Sequence, residues 1–198
     1  MNEFVSVTCC AWYVCVFITH YPRSLLYCQG LLCAFGVYFI PSHADTFSVA
    51  FVASFATKLS DTFASELGTV FGTQAYHITS FKAVPRGTQG AVSAEGTTAG
   101  FVAAVIMTSF AQFIGILPGY TPSLSLHPVM PTSSQLWISS SPAVYSCLLA
   151  AFVATTVESI IGERFQNHIT GLTNETVNII NTFVGAIVAI VYYELAKQ

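Results

Sequence analysis

Val49-Ala50-Phe51-Val52-Ala53-Ser54-Phe55-Ala56 reads as the heart of a membrane-spanning helix, and the same helical register runs on into Lys58, Asp61 and Glu66. That continuation decides how the rest is read. An ionic side chain in hydrocarbon costs roughly 3 kcal/mol on insertion scales, so three on one apolar helix need polar partners or a water-filled cavity. Lys58, Asp61 and Ser65 recur at i, i+3 and i+7 and share one face, with Glu66 on a neighbouring stripe. The next stretch, Gly68 to Ala94, is rich in Gly, Thr and Ser and holds Lys82, Pro85, Arg86, Gly87 and Gly90. It is too polar to span. Irregular backbone is not tolerated against lipid, so this stretch is expected as a surface loop or a re-entrant element lining a cavity. Glu95 then opens another apolar helix, where an acid suits the helix dipole.

Composition agrees with that reading. Of 198 residues, 54% are hydrophobic and only 8% are charged, and the mean hydropathy is +0.66. Soluble domains carry about 25% charged residues, so the chain belongs with integral membrane proteins. A single transmembrane domain over 1–198 is the natural count at this length. A net charge of −3 without any block of like charge gives no nucleic-acid surface. The six cysteines, Cys9, Cys10, Cys15, Cys28, Cys33 and Cys147, form no CxxC pair and read as small buried hydrophobes. The first apolar run has no basic segment before it and is expected to be a retained span rather than a cleaved signal.

About 20 apolar residues cross a bilayer, and about 17 is the lower limit. On that measure Phe4–Thr19 and Ser24–Ile40 are short first and second spans, separated by His20-Tyr21-Pro22-Arg23. The third runs from a Thr46 cap to about Leu67, the fourth covers Glu95–Ile116, the fifth Ala143–Ile161 and the sixth Glu175–Tyr193. The expected fold is therefore all-α, a polytopic bundle of about six transmembrane helices with a polar Gly-rich loop between the third and fourth. Gly96 and Gly100 give the fourth span a small-residue face for close packing. Leu117–Pro142 is a proline-rich connector with no charge, in which His127 reads as structural. Its length suits either a partner-binding loop or a mobile one. Asn174, Asn178 and Asn181 form a polar stripe on the sixth span, in keeping with a buried polar site shared with Glu158.

The collected polar set is Lys58, Asp61, Glu66, Glu95, Glu158, Asn178 and Asn181, with Lys82, Arg86 and Gly87 on the loop. Carboxylates and amide oxygens are hard ligands suited to Mg²⁺, which usually binds through one or two carboxylates plus substrate phosphates. Lys and Arg beside glycines suit phosphate oxygens. Such parts fit phosphoryl or nucleotidyl transfer, in which positioning and charge neutralisation do most of the catalysis. No Walker A sequence is present.

These residues resemble a family. Lys58-Leu59-Ser60-Asp61-Thr62, Ser65-Glu66-Leu67-Gly68, Thr79-Ser80-Phe81-Lys82, Val84-Pro85-Arg86-Gly87-Thr88 and Glu95-Gly96-Thr97 match it in order. So do Glu158-Ser159-Ile160-Ile161-Gly162 and Val177-Asn178-Ile179-Ile180-Asn181. Over about residues 45–195 the chain is similar to the integral membrane family of the plastid phytyl-phosphate kinase of tocopherol and phylloquinone synthesis, with its cyanobacterial and animal transmembrane relatives. The resemblance implies a kinase that moves a phosphoryl group from a nucleoside triphosphate to an isoprenoid (phytyl) monophosphate, in a chloroplast membrane, thylakoid or envelope. Asp61, Glu66, Glu95 and Glu158 would then be catalytic, with Asp61, Glu66 and Glu158 holding Mg²⁺. Lys58, Lys82, Arg86 and Gly87 would hold phosphate, and Asn178 and Asn181 would line the site. Two departures from the family pattern stand out: the region before residue 24 is cut down to one firm cation, Arg23, and the connector is longer. They suit the competing reading, an inactive relative serving as a structural or lipid- and pigment-binding subunit that contacts other membrane subunits through residues 1–45 and 117–142. An enzyme keeps its ionic groups convergent around a wet cavity, whereas such a subunit would close or fill it.

Overall fold

The structure, a computed structural model, describes residues 36–118, 141–165 and 173–197. The first expected span, most of the second, the cysteines at 9, 10, 15, 28 and 33, and the connector with His127 lie outside the described residues. What is described is mostly helical. A single 3₁₀ turn, Pro41–His43, leads into α1 (Ala44–Phe71), and α2 (Ala94–Phe113), α3 (Pro142–Arg164) and α4 (Asn174–Ala196) follow. Among the described residues, α2, α3 and α4 are the helices long and apolar enough to cross a bilayer.

Helix α1 is the element the others pack around, touching α2, α3 and α4, while α3 also packs on α2 and α4. Its 28 residues extend about 42 Å. Every residue from Val49 to Lys58 is buried, the pattern of a helix enclosed on all sides. The core gathers Val49, Val52 and Phe55 of α1 against Ala111 of α2, Cys147 and Ala150 of α3, and Ala189 of α4. Cys147 thus sits as a small buried hydrophobe, its thiol 3.7 Å from the Val49 carbonyl. Outward, Phe101, Ile106 and Phe110 on α2, Phe152 on α3, and Phe183 and Ile187 on α4 are exposed. A surface of that kind belongs against membrane lipid.

Lipid tails are as apolar as leucine, so helices in a bilayer associate through close packing instead. The Gly96/Gly100 face supplies it. A Cβ at Gly100 would stand 2.7 Å from the Ser60 carbonyl oxygen, and one at Gly96 would meet the Ala64 carbonyl. The α1–α2 approach therefore depends on both glycines.

Element boundaries depart from the sequence expectation in instructive ways. Helix α1 starts two residues before Thr46, with His43 at the cap position and no side-chain bond there. Thr46 does not cap; its hydroxyl donates to the Glu194 carboxylate near the end of α4. The other end runs on past Leu67 to Phe71, because Gly68 is held against α2 at Ser93 and Gly96. The polar stretch expected as a loop contains three short antiparallel strands, β1 (Ala75–His77), β2 (Ala83–Val84) and β3 (Ala91–Val92), in the order β2-β1-β3. Its glycines mark turns. Thr88 N–H donates to the Pro85 carbonyl and Ala91 N–H to that of Thr88. Each turn has glycine third, Gly87 at φ +80° and Gly90 at φ +72°, the left-handed position that a type II turn reserves for glycine.

Candidate functional site

Lys58 ends the buried stretch of α1, only 5% exposed. Its ammonium is satisfied from two elements. Nζ donates to Asp61 Oδ2 at 2.6 Å within α1 and to Asn178 Oδ1 at 2.6 Å on α4. From α3, the Glu158 carboxyl comes within hydrogen-bonding reach of Asp61 and into the field of Lys58. Asn181, one turn after Asn178 and 1% exposed, donates through Nδ2 to Glu158. Three helices thus contribute one cation, two carboxyls and two amides to one cluster. An unpaired buried charge is costly, and opposite charges with full hydrogen bonding offset that cost. Asn181 Oδ1 is nevertheless buried with no partner, although such atoms are usually satisfied.

The cluster opens into a cleft of about 390 Å³. Lys58, Asp61, Glu158 and Asn178 form its floor, Glu66 reaches it from the last turns of α1, and the Gly87–Gly90 turns lie along it from the β unit. The first residues of α2 and α4, Ser93 with Thr97 and Asn174 with Val177, complete the wall. Both helices are side-chain capped. Ser93 Oγ accepts from Gly96 N–H and Thr173 Oγ1 from Thr176 N–H.

The ten residues singled out from sequence therefore separate. Lys58, Asp61, Glu66, Glu158, Asn178 and Gly87 line one cleft, and Asn181 backs it through Glu158. Glu95, Lys82 and Arg86 do not line it. Glu95 accepts from Thr73 N–H at 3.0 Å and Thr73 Oγ1 at 2.6 Å, tying the chain just after α1 to the first turn of α2. Lys82 and Arg86 are exposed, and Arg86 stands in the field of Glu95. Among the described residues no three His, Cys, Asp or Glu side chains come together as a metal cage. Glu66 is exposed and does not join Asp61 and Glu158 in such a set.

Sequence reasoning missed Glu163. Its carboxylate accepts from Thr79 N–H at 2.8 Å and Thr79 Oγ1 at 2.6 Å, and His77 Nδ1 lies 3.3 Å away. A signal was present. An acid in the last turn of a helix opposes the dipole, which calls for partners elsewhere.

Fold and site together define a helical membrane protein built on a buried ionic cluster, with two glycine turns lining the same cleft. The chain belongs to the integral membrane protein family DUF92, whose profile matches residues 1–186. It is 42% identical over 160 residues to an uncharacterized membrane protein of Synechocystis, covering 80% of this chain and 54% of that relative. It is 38% identical over 184 residues to Protein VTE6, chloroplastic, of Arabidopsis thaliana, covering 89% and 49%. An uncharacterized membrane protein of Methanocaldococcus jannaschii is 29% identical over 145 residues, covering 73% and 51%. The chain spans about half the length of these relatives. No solved structure matches it. The family likeness read from the residue motifs is borne out, with a cyanobacterial and a chloroplastic plant protein among the relatives.

Proposed function

We propose that this chain is a membrane-embedded kinase of prenyl (phytyl) monophosphate, taking its phosphoryl group from a nucleoside triphosphate, in a chloroplast membrane. The observation that carries the reading is the convergence of Lys58, Asp61, Glu158 and Asn178 from three helices on a cleft that the left-handed glycines Gly87 and Gly90 also line. Phosphoryl transfer asks for charge neutralisation and positioning. Lys58 offers a cation. Backbone N–H groups beside Gly87 and Gly90 approach an anion without side-chain obstruction. Asp61, Glu66 and Glu158 supply carboxylates for proton handling. The chloroplastic relative, taken with the family resemblance, supports the substrate class and the compartment.

Mg²⁺ fits the donor set in one particular way. Two neighbouring carboxyls and the unpartnered Asn181 Oδ1 suit an ion that keeps several waters and binds chiefly through substrate phosphates. Asp61 and Glu158 would hold it, with Glu66 at the cleft rim, and it would neutralise phosphate charge. Lys82 and Arg86, exposed on the β unit and outside the cleft lining, would reach a bound nucleotide only from outside the cleft.

The competing reading, a structural or pigment-binding subunit, expects the cavity closed or filled. A lining that includes Lys58, Asp61, Glu66 and Glu158 weighs against it, because costly ionic groups do nothing for a bound lipid or pigment. The deciding assay gives purified protein phytyl phosphate, Mg²⁺ and γ-labelled nucleotide. Labelled phytyl diphosphate that forms about 100-fold more slowly in Asp61→Asn is the expected result, and its absence from the wild-type reaction refutes the proposal.

A further inference from the structure

Two carboxylates outside the cleft grip the β unit in the same manner. Glu95 of α2 takes the N–H and hydroxyl of Thr73 at one end of it. Glu163 of α3 takes the N–H and hydroxyl of Thr79 at the tip of the β1–β2 hairpin, with His77 against it and Ser80 nearby. Glu163 is the more deeply set, with its side chain 8% exposed. Its backbone is engaged as well. A Cβ on Gly90 would lie 2.6 Å from the Ser159 carbonyl and 2.8 Å from Glu163 Cα, so the second glycine turn is seated on the same helical turn that the carboxylate anchors. Ser159 and Gly162 of that turn line the cleft, and Glu158 is on its floor.

The geometry points to Glu163 as a positioning residue that fixes the β unit, and with it the Gly87–Gly90 turns, at the height over Lys58, Asp61 and Glu158 that an anionic phosphate ligand needs. This role rests on the kinase reading for its ligand, but the mechanical part stands on geometry alone. The strands are two or three residues long. Three such strands bury little and hold their place only by attachment. Hydrogen bonds to a charged acceptor are among the stronger ones available, and Glu163 accepts two from Thr79 while His77 lies close by. Glu163 touches no reacting atom in this arrangement. It acts through the backbone it holds.

The test compares wild type, Glu163→Ala, Glu163→Gln and Thr79→Ala in detergent or nanodiscs, by amide hydrogen exchange and by steady-state kinetics. Glu163→Ala is expected to speed exchange in residues 75–92 by about tenfold or more, leaving the buried half of α1 unchanged. KM for nucleotide is expected to rise with kcat held within about twofold, the sign of lost positioning rather than lost chemistry. Glu163→Gln, which keeps one acceptor, should fall between, and Thr79→Ala guards against a variant that fails to fold. Unchanged exchange across 75–92 overturns the inference, as does faster exchange with KM unaltered. A wild-type protein that forms no diphosphate refutes the kinase reading instead. The exchange comparison then still decides whether Glu163 fixes the β unit.

Discussion

Lys58 Nζ lies 2.6 Å from Asn178 Oδ1, a bond between residues 120 positions apart that joins the buried helix α1 to α4. With the 2.6 Å ion pair to Asp61, it makes Lys58 the counter-charge for everything acidic around the cleft floor. Removing only the cation leaves two carboxyls facing each other without it. Lys58→Met, similar in volume, is therefore expected to destabilise the protein by about 3–5 kcal/mol, the range for breaking one side of a buried pair. Unfolding in a mild-detergent to SDS titration reads it. A loss below about 1 kcal/mol would show the cluster to be well hydrated and the pairing unimportant.

Asp61 and Glu158 should not behave as independent residues. They come from different helices, approach within hydrogen-bonding reach and share Lys58. Asp61→Asn and Glu158→Gln keep the shapes and remove one ionisable carboxyl each. In the diphosphate assay each single change is expected to lower kcat by about 100-fold or more. The double variant should lose much less than the product of the two, because residues acting as a unit are not additive. Full additivity would separate them into unrelated roles.

Much of this was legible from residue order. The cost of ionic groups on apolar helices predicts that Lys58, Asp61, Glu66, Glu95, Glu158, Asn178 and Asn181 meet; Lys58, Asp61, Glu158, Asn178 and Asn181 do, Glu66 reaches the same cleft, and Glu95 does not line it. The i, i+3 spacing of Lys58 and Asp61 already places that pair on one face. Glu95 falls outside the cleft lining, and sequence does not show this because an acid in a first helical turn has the same appearance whether it serves a ligand or a neighbouring Thr73. The β unit was missed for a different reason. Strands of two or three residues carry no usable period, and only the Gly87 and Gly90 spacing hinted at successive turns. Glu163 was legible only as an electrostatic anomaly at a helix end.

Gly100 offers a test of the α1–α2 packing at a residue outside the cleft lining. A methyl there would meet the Ser60 carbonyl at 2.7 Å and the Ala64 side chain at 3.0 Å. Neither contact is the far end of a flexible side chain, so the helices must part. Gly100→Ala is expected to cost about 1–3 kcal/mol as overpacking, seen as a lowered melting temperature in detergent. Val102→Ala on the exposed face of the same helix should change stability by no more than about 0.5 kcal/mol. Equal effects at both positions would mean that α2 is not packed on α1 through its glycines.

Metal dependence follows from how few ligands the chain brings together. Asp61 and Glu158 are adjacent, and among the described residues no third His, Cys, Asp or Glu completes a cage with them. Two carboxyls hold Mg²⁺ weakly, and the ion completes its octahedron with water and phosphate oxygens. Binding should accordingly be cooperative with nucleotide: negligible heat when Mg²⁺ alone is titrated into the protein, and clear saturation when nucleotide is present. EDTA should abolish diphosphate formation and added Mg²⁺ restore it. Asp61→Asn should raise the Mg²⁺ concentration for half-maximal rate by about tenfold or more, since even residues that only support a ligand change metal affinity on that scale. Tight binding of Mg²⁺ without nucleotide would contradict this arrangement, because it would require ligands that α1 and α3 do not place together.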